Sequence, residues 1–168
     1  MKSITTIAIF IFAAMHLPAQ SAPRLDRQTV DRRVSEIVNH ALEQGKSVTA
    51  DGVQVRSMRV DVSLDEEKEI ISYGMLAVSP LRKLLDAEEY PAQILSVSLL
   101  NQIGGKPALP PLRYAAENCA SAAARLRAVL GLGRQSWDEV SDVIRRVATN
   151  DKDGLVREAA QKEVAKHY

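Results

Sequence analysis

The chain has 168 residues, a length that suits one domain, and its 22 Lys and Arg residues nearly balance 21 Asp and Glu residues. This balance argues against general nucleic-acid binding, which requires a basic surface. Aromatic residues make up only 4% of the chain, which favours helices packed through Leu, Val and Ala over a β-sandwich.

The first 21 residues have the pattern of a secretory signal peptide. Lys2 gives a short positive region, Ile4 to Leu17 is largely apolar, and Ala19 and Ser21 place small side chains where signal peptidase reads them. The apolar run is shorter than the ~20 residues that cross a bilayer, although an uncleaved anchor is the alternative. We therefore expect a mature chain that begins at Ala22, without membrane insertion, and a periplasmic or secreted location.

Residues 22–62 are predicted to form an N-terminal cap made of one helix and one hairpin. From Asp26 to Gln44 the apolar residues recur with the helical period, Asp26 can cap the start, and Gly45 can end the helix. Residues 46–62 then alternate apolar and polar side chains around Asp51-Gly52, which is a strong hairpin signal. We expect a short β-hairpin there, or failing that an extended segment.

Residues 63–168 contain one phrase three times. Gly74–Arg82 recurs 31 residues later as Gly105–Arg113, and a weaker third copy, Val140–Arg145, follows at an offset of 32. Self-similarity at a fixed period of about 20–50 residues is typical of a repeat array. Each copy predicts a helix that buries its Leu or Ile side chains, with a partner helix between successive copies.

Two of these helices carry the pattern of a capping box at their start. Ser63–Glu66 opens a helix that is expected to bury Leu64, Ile70 and Ile71, and Ser136–Glu139 opens a later one. In a capping box the Ser side chain and the Glu side chain each accept a backbone N–H of the first turn. Both segments are therefore predicted to be helix N-termini.

Proline predicts the start of a further helix, and polar residues predict the end of the repeat array. Ser79-Pro80 is expected to begin a helix, since proline suits the first helical turn. In the last helix Glu163 and His167 replace apolar positions, and a terminal repeat tolerates polar residues because it has no outer neighbour. The array is therefore expected to end with this helix.

These residues resemble HEAT repeats, most closely the short HEAT-like class that is also found in phycobilin lyases. The resemblance rests on Ile103-Gly104 followed by Ala-Leu-Pro-Pro-Leu at 108–112, and on Leu155–Ala160 after Asp153. It implies an all-α fold: a short right-handed α-solenoid of antiparallel helix pairs, with the second helix of each pair on the concave side. It also implies a scaffold or partner-binding module, and no motif here carries over a lyase activity.

The sequence offers no convergent set of catalytic or metal-binding residues. The two histidines of the mature chain, His40 and His167, lie at opposite ends, and Cys119 is far from both and is expected to be a buried small hydrophobe. The acidic pairs at 88–89 and 151–153 fit helix capping better than catalysis. We therefore predict no catalytic residue, no metal ligand and no cofactor.

Superposition of the three copies brings six polar residues to two equivalent positions on the second helices. The first position holds Arg82, Arg113 and Arg145, and the second holds Lys83, Tyr114 and Arg146. Arg pairs bidentately with carboxylates and Tyr adds a rigid contact, so this basic ladder is predicted to bind an acidic stretch of a protein or peptide. The alternative is that these side chains cover the Leu core or pair with acids such as Asp86 and Glu117.

These observations favour an exported, non-catalytic protein-binding scaffold or adaptor of the cell envelope or exterior. A small inhibitor or immunity-type protein is one version of this function, and a lyase or hydrolase with an undetected site is the other alternative. The basic residues Arg56, Arg125 and Arg127 lie outside the basic ladder and are expected to be dispensable for partner binding.

Overall fold

The computed structural model describes residues 25–44, 46–48, 54–56 and 62–168. Within these ranges the chain forms eight helices, so the predicted all-α class is confirmed. The helices are α1 (Arg27–Gln44), α2 (Leu64–Ser72), α3 (Met75–Leu84), α4 (Tyr90–Ile103), α5 (Gly105–Asn118), α6 (Ala122–Leu132), α7 (Trp137–Asn150) and α8 (Gly154–Ala165). Across these described ranges, none of the helices is both long enough and apolar enough to span a bilayer.

Two three-residue strands follow α1. Strand β1 (Lys46–Val48) pairs antiparallel with β2 (Gln54–Arg56), with Ser47 opposite Val55. They lie in the segment for which a hairpin is predicted. The predicted signal peptide, the Gly45 cap and the Asp51-Gly52 turn lie outside the described residues, so the hairpin stays a prediction.

The starts of α1 and α2 follow the sequence signals. The Asp26 carboxylate accepts the backbone N–H of Thr29 at 2.8 Å, which satisfies one of the free donors of the first turn. Ser63 and Glu66 form the predicted capping box: Ser63 Oγ accepts the N–H of Glu66 at 3.3 Å, and Glu66 Oε2 accepts the N–H of Ser63 at 3.2 Å. Both N-terminal predictions are confirmed.

Two other predictions for the starts of helices are wrong, namely the burial of Leu64 and the capping box at Ser136–Glu139. Leu64 is 72% exposed because it is the first residue of α2 and only the later turns of that helix reach the core, where Ile70 is fully buried. Ser136 occupies the N-cap of α7, but its side chain makes no capping bond. The N–H of Glu139 bonds instead to the carbonyl of Ser136 at 3.0 Å, so this segment is not a capping box.

The predicted start of a helix at Ser79-Pro80 is also wrong. Helix α3 begins earlier, at Met75, directly after Gly74, whose φ of 51° suits a residue without a Cβ. This start brings Ala77 and Leu81 onto one buried face, and that burial outweighs the N–H that Pro80 lacks inside the helix.

The helices from α2 onward alternate between two layers. In one, the second-helix layer, α1 packs on α3, α3 on α5 and α5 on α7; in the other, the first-helix layer, α2 packs on α4, α4 on α6 and α6 on α8. The core lies between the layers and includes Leu81, Leu100, Leu112, Leu132 and Ile144. Helices α4, α6 and α8 of the first-helix layer begin at residues 90, 122 and 154, so successive helices of this layer start 32 residues apart.

A polar anchor recurs near the start of each of these three first helices. The residues at 93, 125 and 157 each donate to the backbone carbonyl six residues earlier, in the loop that enters the helix. The bonds are Gln93 Nε2 to the oxygen of Ala87 at 2.7 Å, Arg125 Nη1 to that of Cys119 at 2.8 Å, and Arg157 Nη1 to that of Asp151 at 2.6 Å. The 32-residue period therefore governs loop anchoring as well as apolar burial.

Candidate partner-binding surface

The six residues of the basic ladder lie on three successive helices of the second-helix layer. Arg82 and Lys83 are on α3, Arg113 and Tyr114 are on α5, and Arg145 and Arg146 are on α7. All six are half-buried or exposed. The structure therefore brings them to one layer, as the repeat superposition predicts, and it also gives each of them a contact within the chain.

At the junction of α3 and α5, Asp86 joins two residues of the basic ladder. The Arg82 guanidinium lies 3.4 Å from the centre of the Tyr114 ring and donates to Asp86 Oδ2 at 2.7 Å. The Tyr114 hydroxyl donates to Asp86 Oδ1 at 2.5 Å. The hydrogen bond from Tyr114 and that from Arg82 hold the pKa of Asp86 below its usual value. This part of the basic ladder is a fixed cation–π and hydrogen-bonded cluster.

At the junction of α5 and α7, two carboxylates receive the arginines. Arg113 Nη2 donates to Asp142 Oδ2 at 2.5 Å, and Arg146 donates to Glu117 at 2.6 Å and to Asp142 at 3.1 Å. The bond from Arg113 is the main reason that the pKa of Asp142 falls to about 2. Lys83 forms the equivalent contact at the other end of the layer, where its Nζ lies 3.0 Å from Asp31 Oδ2 on α1.

Arg145 contacts two aromatic side chains, those of Trp137 and Tyr168. Its guanidinium carbon lies 5.7 Å from the centre of the Trp137 ring and 5.5 Å from that of Tyr168, and it donates to the Tyr168 hydroxyl. The His167 ring stacks on Trp137 with the centroids 4.2 Å apart and the planes 12° apart. Contacts of this kind, together with the pairs to Asp86 and Glu117, match the alternative in which the basic ladder is satisfied within the chain.

A groove opens on the same layer between α1, α3 and α5, and we call it the α3–α5 groove. Its volume is about 560 Å³. It is lined by Arg27, Met75, Val78, Ser79, Arg82, Pro107, Pro110, Pro111 and Tyr114. Two residues of the basic ladder, Arg82 and Tyr114, therefore form part of its wall, and the other lining residues come from positions that the sequence analysis did not select.

The lining of the α3–α5 groove is apolar with a positive edge. Met75 is 70% exposed, and three prolines also line the groove, of which Pro107 and Pro110 are exposed. Arg27 Nη2 donates to Ser79 Oγ at 3.0 Å. Among the described residues that line the groove there are two guanidinium groups and no carboxylate. The exposed methionine and prolines within the repeated phrase are the sequence signal that could have indicated this groove.

Cys119 is buried, as expected for a lone cysteine. Its side chain is 2% exposed, and its Sγ donates to the carbonyl of Leu85 at 3.6 Å. Burial raises the pKa of the thiol to about 11, so the thiolate form is disfavoured at neutral pH. Across the described ranges, no group of three His, Cys, Asp or Glu side chains is placed to hold a metal ion.

The predicted capping role of the acidic pairs is confirmed for one residue. The Asp153 carboxylate accepts the N–H groups of Leu155 and Val156 at 2.9 and 3.3 Å and caps α8. Glu89 stands at the N-cap of α4, but its side chain makes no capping bond there. Asp151 has a different role, since it forms a bidentate ion pair with Arg125.

Of the three arginines that are expected to be dispensable for partner binding, the structure describes the side chains of Arg125 and Arg127. Arg125 is 2% exposed, and its bonds to Asp151 and to two loop carbonyls explain why a charged side chain is buried here. Its predicted dispensability for partner binding stays a prediction, and its burial makes it unsuitable as a surface control. Arg127 is exposed and donates to Ser98 Oγ at 3.0 Å. The side chain of Arg56 lies outside the described residues.

A comparison with protein-family models found no matching family, and comparisons with curated proteins and with solved structures found no match. The likeness to HEAT repeats is therefore a resemblance of sequence pattern, and a function has to be argued from the residues of this chain.

Proposed function

We propose that this chain is an exported, non-catalytic HEAT-like repeat protein, a short right-handed α-solenoid that binds a partner protein on its second-helix layer. The layered contacts and the 32-residue spacing of the first helices support the solenoid. The resemblance assigns second helices to the concave side, which is where such arrays bind partners. The protein then acts as a scaffold or adaptor of the cell envelope or exterior.

The observation that carries this proposal is the α3–α5 groove. Its volume of about 560 Å³ lies within the range of about 300–1,000 Å³ that is usual for binding sites. Met75 is exposed there beside three prolines. Exposed apolar side chains that cluster in a groove are typical of interaction sites.

The ion pairs and hydrogen bonds within the basic ladder can also preorganise the surface that binds the partner. Arg82 and Tyr114, which line the groove, are both held by Asp86, so these two side chains are fixed before a partner arrives. Fixed side chains lower the entropy that is lost on binding. A partner therefore meets a surface whose shape is already set.

Binding of the partner can be tested with two substitutions at residues of equal exposure. Met75 in the groove and Leu155 at the start of α8, in the other layer, are each 70% exposed. Met75→Glu is expected to lose the proteins that co-purify with the tagged wild-type chain from the envelope or medium, and Leu155→Glu is expected to keep them. Equal retention by both variants, or no specific protein with the wild type, contradicts the proposal.

Export is the part of the proposal that depends on residues 1–21. N-terminal sequencing of the protein recovered from the periplasm or medium is expected to begin at Ala22. A protein that stays in the membrane fraction and still begins at Met1 contradicts export by signal-peptide cleavage. The inhibitor or immunity-type version is a special case of partner binding, and no observation among the described residues favours it.

A further inference from the structure

We infer that the occupant of the α3–α5 groove is an extended acidic segment of a partner protein, with an apolar side chain between its carboxylates. This inference rests on the proposed function and specifies what that surface recognises. It follows from the charge, the apolar lining and the size of the groove.

The positive charge of the groove comes chiefly from Arg27, because the charge of Arg82 is paired with Asp86. Arg82 stacks on Tyr114 and donates to Asp86, while Arg27 is exposed and its guanidinium donates to the Ser79 hydroxyl. A guanidinium has five N–H donors, and the neutral Ser79 oxygen leaves the charge of Arg27 available to a carboxylate. With no carboxylate among the described lining residues, an anionic occupant is favoured over a cationic one.

The apolar lining explains the second requirement. Met75 is flexible and polarizable, so it adapts to an apolar side chain that enters the groove. Pro107, Pro110 and Pro111 have no backbone N–H, so these three residues offer no backbone donor to a peptide. Recognition then proceeds through side chains, with a carboxylate on Arg27 and an apolar group on Met75.

The size of the groove restricts the occupant to a short segment. About 560 Å³ accommodates a few side chains rather than a folded domain, and the groove is open to solvent, so the segment can continue beyond it. An extended peptide fits this shape, because alternate side chains of an extended chain point to opposite sides.

The test is a fluorescence-anisotropy titration with a labelled synthetic peptide, Gly-Asp-Glu-Leu-Glu-Asp-Gly. Two control peptides have Lys in place of every acid, or Ser in place of Leu. The wild-type protein is expected to bind the acidic Leu peptide, more weakly at high salt, and to bind either control at least about tenfold more weakly.

Matched protein variants locate the binding. Arg27→Glu and Met75→Glu are each expected to weaken binding about tenfold or more, while Arg127→Glu and Leu155→Glu are expected to bind as the wild type does. All four positions are exposed, so circular dichroism and melting curves should show folded proteins. Arg27→Glu places an acid at the start of α1, where the helix dipole favours it.

Three results overturn the inference. The first is that the Lys peptide binds as tightly as the acidic one, and the second is that Leu155→Glu weakens peptide binding as much as Met75→Glu does. The third is a concentration-dependent self-association that Met75→Glu abolishes, which would make a second copy of the chain the occupant. The proposed function fails separately. If co-purifying proteins still depend on Met75 while the acidic peptide does not bind, only this inference is wrong; if no protein is retained, the proposed function is wrong.

Discussion

Gly131 on α6 lies directly against the side chain of Asn101 on α4. A Cβ at residue 131 would stand 1.7 Å from Asn101 Oδ1, and Asn101 Nδ2 donates to the carbonyl of Arg127 at 3.1 Å. The two neighbouring helices of the first-helix layer thus approach closely, and the amide of Asn101 bonds to the backbone of α6. Glycine is required at 131 for this approach rather than for its backbone conformation.

Gly131→Ala is therefore expected to destabilise the protein by about 1–3 kcal/mol, because Asn101 must move and lose its bond to α6. Gly154→Ala is the matched control, since the nearest side-chain atom to a Cβ there is 3.8 Å away. That variant is expected to be neutral or slightly more stable, as alanine restricts the unfolded chain. Urea unfolding monitored by circular dichroism measures both. Equal effects would show that α4 and α6 do not pack in this way.

Arg125→Ala is expected to be one of the most destabilising single substitutions, at about 3–5 kcal/mol. The Arg125 and Asp151 side chains are 2% and 4% exposed and are joined by bonds of 2.8 and 3.0 Å. Removal of Arg125 leaves the Asp151 charge buried without a partner, and it frees the carbonyl of Cys119. The exposed Arg127 is the control, and Arg127→Ala should change the free energy of unfolding by less than about 0.5 kcal/mol.

Low pH should weaken the contact between α1 and α2, because protonation of Glu69 breaks its ion pair with Arg33. Arg33 donates to both carboxylate oxygens at 2.7 and 2.9 Å, and this bond, followed by that from the Tyr73 hydroxyl, lowers the pKa of Glu69 from 4.5 to about 2. A lowered pKa stabilises the folded state above the unfolded value, so this contribution is present above about pH 4.5 and is lost as the pH falls towards 2.

The melting temperature of the wild type is thus expected to fall more between pH 5 and pH 2 than that of Glu69→Gln, which cannot titrate. Asp65→Asn is a control, since the Asp65 side chain is 98% exposed and lies 3.9 Å from Lys68. That variant should follow the wild type. Parallel curves for the wild type and Glu69→Gln would show that the Arg33–Glu69 pair does not contribute to stability.

Leu112→Ala should cost more stability than Val164→Ala. Leu112 on α5 is 1% exposed and belongs to the central core, so its truncation is expected to cost about 2–5 kcal/mol. Val164 on α8 is only partly buried and has no neighbouring repeat among the described helices on its outer side. A larger loss for Val164→Ala in urea melts would contradict the deeper burial of Leu112 in the core.

The burial pattern could be predicted from the sequence because it is local. The helical period alone selects the buried face of α1, including Val30, Val34 and Ile37, and that of α6, including Ala124 and Val129. Helix α4 was predicted less completely. The helical period predicts one buried stripe there, at Ala92, Leu95, Leu99, Leu100 and Ile103. The helix packs against helices of both layers, so Gln93, Ser96 and Val97 are buried as well.

The candidate site was only partly predictable, because its residues meet through contacts between helices. The repeat superposition selects Arg82 and Tyr114 and names Asp86 as a possible acid, and these three are in contact. The α3–α5 groove combines α1, α3 and α5, and no period relates Arg27 to Met75 or Pro110. Proline is also an ambiguous signal, since Pro80 suits a helix start but lies inside α3.

The burial of Glu163 has the same kind of cause. The last helix was expected to expose its polar residues, but Glu163 is buried, and both of its carboxylate oxygens accept from Lys166 Nζ at 2.7 Å. A Cβ at Gly133 would stand 2.5 Å from Glu163 Oε2, so glycine at the end of α6 makes room for this side chain. Gly133 and Glu163 are 30 residues apart in the sequence, so their fit can be recognised only once the fold brings them together.

The central claim is that a partner protein docks on the second-helix layer at the α3–α5 groove. Site-specific photocrosslinking in the intact cell tests it most directly, with a photoreactive residue placed at the exposed Pro110 in the groove or at the exposed Leu130 on α6, in the other layer. We predict a discrete crosslinked protein from position 110 that is absent from position 130. Crosslinking from position 130 alone would contradict the claim and place the partner on the opposite layer.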